Sequence, residues 1–231
     1  MPTIPEKPKS NYTPAPVGTH MARCYQFIHI GTIQDEYMGE PKEFNKIRLS
    51  FELPNKTKVF KEGEPAKPIS VHAEYTLSMG AKANLRRVVE GMIGTSLTDQ
   101  EAYNFDVETL VGKPCLITIK HKTSKAGNVR DEIATVSPLM DGQVAPAPVN
   151  KSTILSYGSW DQELFDKLPA FLKEKIMSSA QYKKMFTPME KNNGLDDATV
   201  ARIQSLRGTP KVDPLDKEME DMKAMADSIT F

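Results

Sequence analysis

The constraint that most limits the fold of this chain is one short amphipathic helix set between runs of alternating strand character. Within residues 78–136, Leu85, Val88, Val89 and Met92 recur at spacings of three and four, while Arg86, Arg87 and Glu90 point elsewhere. Gly91 and Gly94 are expected to end this helix. Thr98 is placed to cap an acidic segment over 98–107, with Glu101 three residues on, as in a capping box. Residues 110–114, Leu-Val-Gly-Lys-Pro, read as a turn into a strand over 115–122. In that strand Cys115, Ile117 and Ile119 alternate with Thr118, Lys120 and Lys122. A glycine-containing hairpin loop, 124–128, leads to a return strand over 129–136.

Three further strands precede the helix. Residues 44–53 carry the clearest pattern, Ile47, Leu49, Phe51 and Leu53 against Lys46, Arg48, Ser50 and Glu52. Residues 69–77 place Ile69, Val71, Ala73 and Tyr75 on one side. Residues 19–30 are apolar on both faces, with Cys24, Gln26, Ile28 and Ile30 opposite Arg23, Tyr25, Phe27 and His29, and Gly31 closes the run. A strand of that kind is central or faces a ligand. Between the second and third strands, Lys56, Lys58, Lys61 and Lys67 surround Phe60 in a flexible hairpin arm. Three strands, a helix and two strands give the order of a five-stranded OB-fold barrel, with its helix between the third and fourth strands. An SH3-like barrel or a small mixed sheet has the same strand count; the place of the helix favours the OB arrangement.

The order Leu85-Arg86, Leu97-Thr98 with Glu101, Phe105-Asp106, residues 110–115 and a strand ending in His121 resembles a group of phage-encoded proteins. The resemblance covers residues 20–140 and continues more loosely through 160–182. It implies an OB barrel that binds single-stranded DNA, and it identifies no catalytic residue.

The flanking segments complete the division of the chain. Residues 1–18, with five prolines, read as a flexible arm, 19–140 as the OB domain and 141–152 as an Ala/Pro linker. Residues 153–208 read as a helical extension in which Pro169 opens a helix, and Leu168, Leu172 and Ile176 form a stripe widened by Phe171. A last short helix is expected from Asp196 to Arg207. In 209–231 acids outnumber bases and the chain ends on Phe231. This is similar to the acidic, hydrophobically tipped tails of bacterial and phage single-stranded DNA-binding proteins; Asp227 and Phe231 would then bind replication or recombination proteins. A short helix packing Met219, Met222 and Met225 is the alternative.

Lys+Arg and Asp+Glu are 30 each, so the net charge is zero and a uniformly basic binder is excluded. The distribution of charge therefore carries the argument. Binding single strands requires cations along the phosphates and rings that accept unstacked bases. Arg23, Lys46, Arg48, Lys120, Lys122, Lys125 and Arg130 are the candidate phosphate contacts. Tyr25, Phe27, Tyr37, Phe44 and Phe60 are the candidate platforms. Tyr37 falls in the first–second loop, and Lys122 and Lys125 fall in the fourth–fifth, the two loops that clasp ligands in OB barrels. Phe27 alone also suits a core position, and Arg86 and Arg87 belong to a helix that plugs the barrel bottom.

Catalytic signals are missing. No phosphate-binding glycine loop precedes a Lys-Ser or Lys-Thr pair, and no nucleophile elbow occurs. His20, His29, His72 and His121 have no metal-type spacing, and Asp131 and Glu132 face opposite ways on a strand. No enzyme activity, cofactor or metal is expected. Cys24 and Cys115 read as buried free thiols in a reducing cytoplasm, that of the host cell if the chain is phage-encoded. No apolar run approaches the roughly 20 residues of a membrane helix, and residues 1–16 carry no signal core. The expected role is sequence-independent coating of single-stranded DNA in phage replication or recombination, with an oligomer possible. A protein-interaction adaptor on an OB scaffold and a single-strand annealing mediator are the alternatives.

Overall fold

The computed structural model describes residues 14–60, 62–124, 127–145 and 147–186, with only the backbone of Tyr37. Lys61, Lys125, the expected 196–207 helix and the tail with Asp227 and Phe231 lie outside these residues. The described strands are β1 (Gly18–Tyr37), β2 (Glu40–Lys58), β3 (Lys67–Thr76), β4 (Pro114–Thr123), β5 (Val129–Ser137) and β6 (Thr153–Leu155). Helices are α1 (Asn84–Ile93), α2 (Asp99–Tyr103), α3 (Gln162–Asp166), α4 (Ala170–Met177) and α5 (Ala180–Phe186), with a 3-10 turn at Val107–Leu110.

Five strands form an antiparallel path, β3-β2-β1-β4-β5, and β6 adds a sixth, parallel to β1. β1 pairs with β4 over Gly18–Arg23 and with β6 over Gln26–Ile28, so β6 takes the edge that β4 leaves. β3 and β5 approach each other, and α1 packs against β3, β4 and β5. No β3–β5 ladder forms among the described residues. The strand order and helix placement expected from the sequence are present; the closed barrel is not.

The inner core follows the alternation of β2 and β4. Ile47, Leu49, Phe51, Leu53, Cys115, Ile117 and Ile119 are fully buried, together with Leu85 and Val89 of α1. The helix ends where Gly94 adopts φ 75° and its N–H bonds the Glu90 carbonyl. Gly91 does not end it. It lies inside α1, where an added Cβ would collide with the Val136 carbonyl group of β5. The Thr98–Glu101 capping box forms as expected.

β1 departs furthest from its alternation. A bulge between Cys24 and Gln26 shifts the register, which flips the faces of the residues beyond it. Ala22, Cys24 and Phe27 therefore share the inner core, and Ile28 and Ile30 turn to the opposite side. Gly31 does not end the strand; it takes φ 97° at a second irregularity and pairing continues to Tyr37. The outward side of β1 is covered by a second core of Ile28, Ile30, Ile33, Leu155, Phe165, Leu168, Leu172 and Ile176. Burying each such aliphatic side chain stabilises by about 1.5–3 kcal/mol. The two apolar faces of β1 mark a central strand between two cores. Residues 153–186 dock onto the sheet as part of the same compact unit.

The ends of the expected arm and linker are docked as well. Ala15 is buried, its N–H bonds Asp131 Oδ1 at 3.0 Å, and its carbonyl lies 2.8 Å from His121 Nε2. Asn150 and Ser152 are held by Arg23 and Glu52.

Candidate nucleic-acid interface

A row of polar side chains crosses four strands on the side of the sheet away from the inner core. His72, Ser50, Gln26 and Thr153 are successive register partners of β3, β2, β1 and β6. Gln26 Nε2 donates to Thr153 Oγ1 at 3.2 Å, and Ser50 Oγ donates to Gln26 Oε1 at 3.1 Å. His72 Nδ1 lies 2.9 Å from Ser50 Oγ. Ser50 is fully buried, so its hydroxyl is satisfied by the row alone.

The row ends at an open cleft of about 1170 Å³. β1 contributes Tyr25, β2 Arg48, and β3 Lys67, Ser70 and His72. Phe60 comes from the β2–β3 connection, and Arg130 and Asp131 from the start of β5. Asn150, from the segment clamped by Glu52, completes one side.

Charge in the cleft is predominantly positive. Arg130 is exposed and forms no ion pair among the described residues. Lys67 pairs with Glu64 at 2.8 Å in an exposed pair, which contributes little and exchanges readily for a phosphate. Arg48 lies 3.5 Å from Glu74, and its guanidinium sits 5.6 Å from the ring centre of Phe171 in α4. Glu74 also binds Lys175 at 2.7 Å. Asp131, the one acidic residue among the described residues of the lining, accepts from the Ala15 N–H and has only 6% of its side chain exposed. Confinement in the cleft, then the Arg48 charge, push the His72 imidazolium below its ordinary range, so the ring is neutral at pH 7. His72 is an exposed residue, so its ring is reachable from solvent.

Four of the residues expected to touch DNA thus share one cleft: Tyr25, Arg48, Phe60 and Arg130. Two others have different work. Arg23 is buried; its Nε donates to Glu52 at 2.6 Å, and its remaining donors reach Ser152 Oγ at 3.0 Å and the Asn150 carbonyl. Phe27 is 4% exposed and packs in the inner core, turned inward by the bulge before it.

The remaining expected cations and rings lie apart from the cleft. Phe44 is half-buried on the β1–β2 hairpin, with the Lys42 and Lys46 ammonium groups each 5.8 Å from its ring centre. Lys46 also pairs with Asp35. Lys120 and Lys122 are exposed on β4, and Lys122 pairs with Glu132 at 3.6 Å. Tyr37 ends β1.

Sequence reasoning passed over Lys67, Ser70, His72 and Asn150 as site residues. Lys67 stood among the flexible-arm lysines, and alternation along β3 already places Ser70 and His72 opposite Ile69 and Val71. Asn150 gave no signal, because its position depends on the buried Glu52 carboxylate. The buried Cys24 and Cys115 are free thiols, as the sequence suggests. Among the described residues no cluster of His, Cys, Asp or Glu is arranged to hold a metal, and no helix is long and apolar enough to cross a membrane. Compared with models of known protein families and with curated proteins, the chain matches none.

Proposed function

We propose that this chain binds single-stranded DNA in the cleft, without catalysis, and coats it during phage replication or recombination. The observation that carries the reading is convergence. Tyr25 and Phe60 line the same cleft as Arg48, Lys67 and Arg130, in a chain whose total charge is zero. Rings supply sequence-tolerant stacking and cations follow the phosphates. The resemblance of residues 20–140 to phage single-stranded DNA-binding proteins points the same way. In this reading the acidic tail competes with DNA for the cations, and Asp227 and Phe231 recruit replication or recombination proteins once DNA displaces it.

A salt-titrated assay with oligo-dT and duplex DNA tests the proposal, using the full chain and a chain lacking residues 213–231. Three phosphate contacts give a log–log salt slope of roughly −2 on single strands. Affinity independent of salt, or equal affinity for duplex, overturns the reading. Tail removal tightens DNA binding if the competition operates; weaker binding refutes that part.

A second reading, a protein-interaction adaptor, draws on the ring cluster formed by the segment before α3 with α3 and α5. Trp160 lies within 5.1–5.8 Å of Tyr157, Phe165, Tyr182 and Phe186, centre to centre, and Phe186 is 44% exposed. An adaptor of this kind gives no shift with a short oligonucleotide.

A further inference from the structure

We infer that His72 reads the base rather than the backbone of the bound strand, accepting a hydrogen bond from a base N–H at Nε2. The inference rests on the single-stranded DNA reading above and assigns a contact within it. Its origin is the direction of the four-strand row. Gln26 spends its amide N–H on Thr153 and so presents Oε1 to Ser50. Ser50 therefore spends its only proton on Gln26. What reaches Ser50 Oγ from His72, 2.9 Å away, must then be Nδ1–H. A neutral imidazole carrying its proton on Nδ1 has a bare lone pair on Nε2. The ring lines the cleft beside Tyr25 and Arg48.

A lone pair repels phosphate oxygens and accepts from N–H groups. Every base carries at least one N–H on its Watson–Crick edge, so the contact separates base from backbone without selecting one base from another. Ser50 and Gln26 are positioning residues: they fix the tautomer and do not touch the ligand. The Arg48 charge beside the ring discourages protonation, which would turn the acceptor into a donor for phosphate.

Thymine isolates the contact, because N3–H is its one donor. The experiment compares oligo-dT with oligo-(N3-methyl-dT) on the wild-type full chain, on His72→Phe and on Ser50→Ala, with thermal unfolding as a check on folding. Methylation weakens wild-type binding about fivefold, as expected for one hydrogen bond. In His72→Phe, methylated and unmethylated strands bind alike; in Ser50→Ala the difference shrinks. Nitrogen-15 shifts of the free wild-type protein report the Nδ1–H tautomer directly. Equal sensitivity to methylation in wild type and His72→Phe overturns the inference and leaves the DNA reading standing, as does an Nε2–H tautomer in the free protein. Absence of binding to any oligonucleotide overturns the DNA reading itself and the inference with it.

Discussion

Arg23 and Glu52 face each other across β1 and β2, with Arg23 Nε 2.6 Å from Glu52 Oε1 and both side chains buried. The Glu52 carboxylate also accepts from the backbone N–H groups of Val149, at 3.3 Å, and Asn150, at 2.7 Å, and from Asn150 Nδ2 at 2.7 Å. One buried charge thereby fastens the segment that leads into β6.

Burial alone raises the Glu52 carboxyl, but the Asn150 N–H, the Arg23 guanidinium and the Val149 N–H outweigh it and hold the group below its ordinary range. Its stabilisation is therefore complete above the unfolded value, about 4.3, and is lost as pH falls through the lower folded value. Removing one partner of a buried pair leaves the other uncompensated, so Arg23→Ala lowers stability by about 3–5 kcal/mol in urea unfolding at pH 7. For Glu52→Gln, the deficit against wild type narrows on acidification below about pH 5. A deficit constant from pH 6 to pH 3 contradicts the assignment.

Gly91→Ala reverses the usual sign of its substitution. In an open helix interior alanine gains about 1 kcal/mol over glycine. Here the new Cβ meets the Val136 carbonyl group, with its carbon 3.0 Å away, and backbone cannot yield as a side chain does. Overpacking of about 1–3 kcal/mol exceeds the gain, so thermal unfolding shows a lower midpoint for the variant.

Variants in and out of the cleft separate the two sets of cations. Arg130→Ala and Lys67→Ala each reduce the salt slope on single strands by about 0.7, and Phe60→Ala costs about 1–3 kcal/mol of binding. Lys120→Ala, on β4 outside the cleft lining, leaves affinity and slope unchanged. Phe27→Ala lowers stability by about 3–5 kcal/mol. Loss of binding by Lys120→Ala equal to that of Arg130→Ala places the strand elsewhere.

The cysteines report on the inner core. Burial pushes the Cys24 thiol up to about 12 and raises Cys115 as well. Thiolate is the reacting species, so a disulfide reagent at pH 8 labels neither in the native protein. Labelling follows the urea transition, and rapid labelling without denaturant refutes the burial.

Residues 14–148 alone do not form a stable unit. That fragment lacks Leu155, Phe165, Leu168, Leu172 and Ile176, leaving the Ile28, Ile30 and Ile33 side of β1 bare and Glu52 short of its Asn150 contacts. Expression of the fragment gives aggregate, whereas a chain ending at residue 186 remains monodisperse in sedimentation. A well-folded 14–148 fragment sinks the prediction.

The sequence was legible where one rule acts alone. Ile47, Leu49, Phe51 and Leu53 alternate without interruption and are buried as read. The Thr98–Glu101 box and the Gly94 cap follow from local chemistry. Phe27 reads from the sequence as either platform or core, and it is core; the bulge that turns it inward involves no glycine and leaves no compositional trace. Arg23 was misread because a buried cation and a solvated one look alike until the partner, here 29 residues away, is known. Thr153–Leu155 is too short for periodicity to show, and only the register with β1 makes it a strand. Of the cleft, Tyr25, Arg48, Phe60 and Arg130 are legible in the sequence, and the alternation of β3 puts His72 on the outward face; Asn150 needs the third dimension, because its place depends on Glu52.

β1 serves two cores, and its outward partners lie far along the chain: Ile28 pairs with Leu155 and shares its core with Ile176. At about 5–20 residues per second, a ribosome delivers the covering segment on the order of ten seconds after the strand. Throughout that interval a row of isoleucines is offered to whatever else is nearby. Delivery of residues 155–176, rather than the intrinsic folding speed of the sheet, sets the earliest moment at which that row can be closed over.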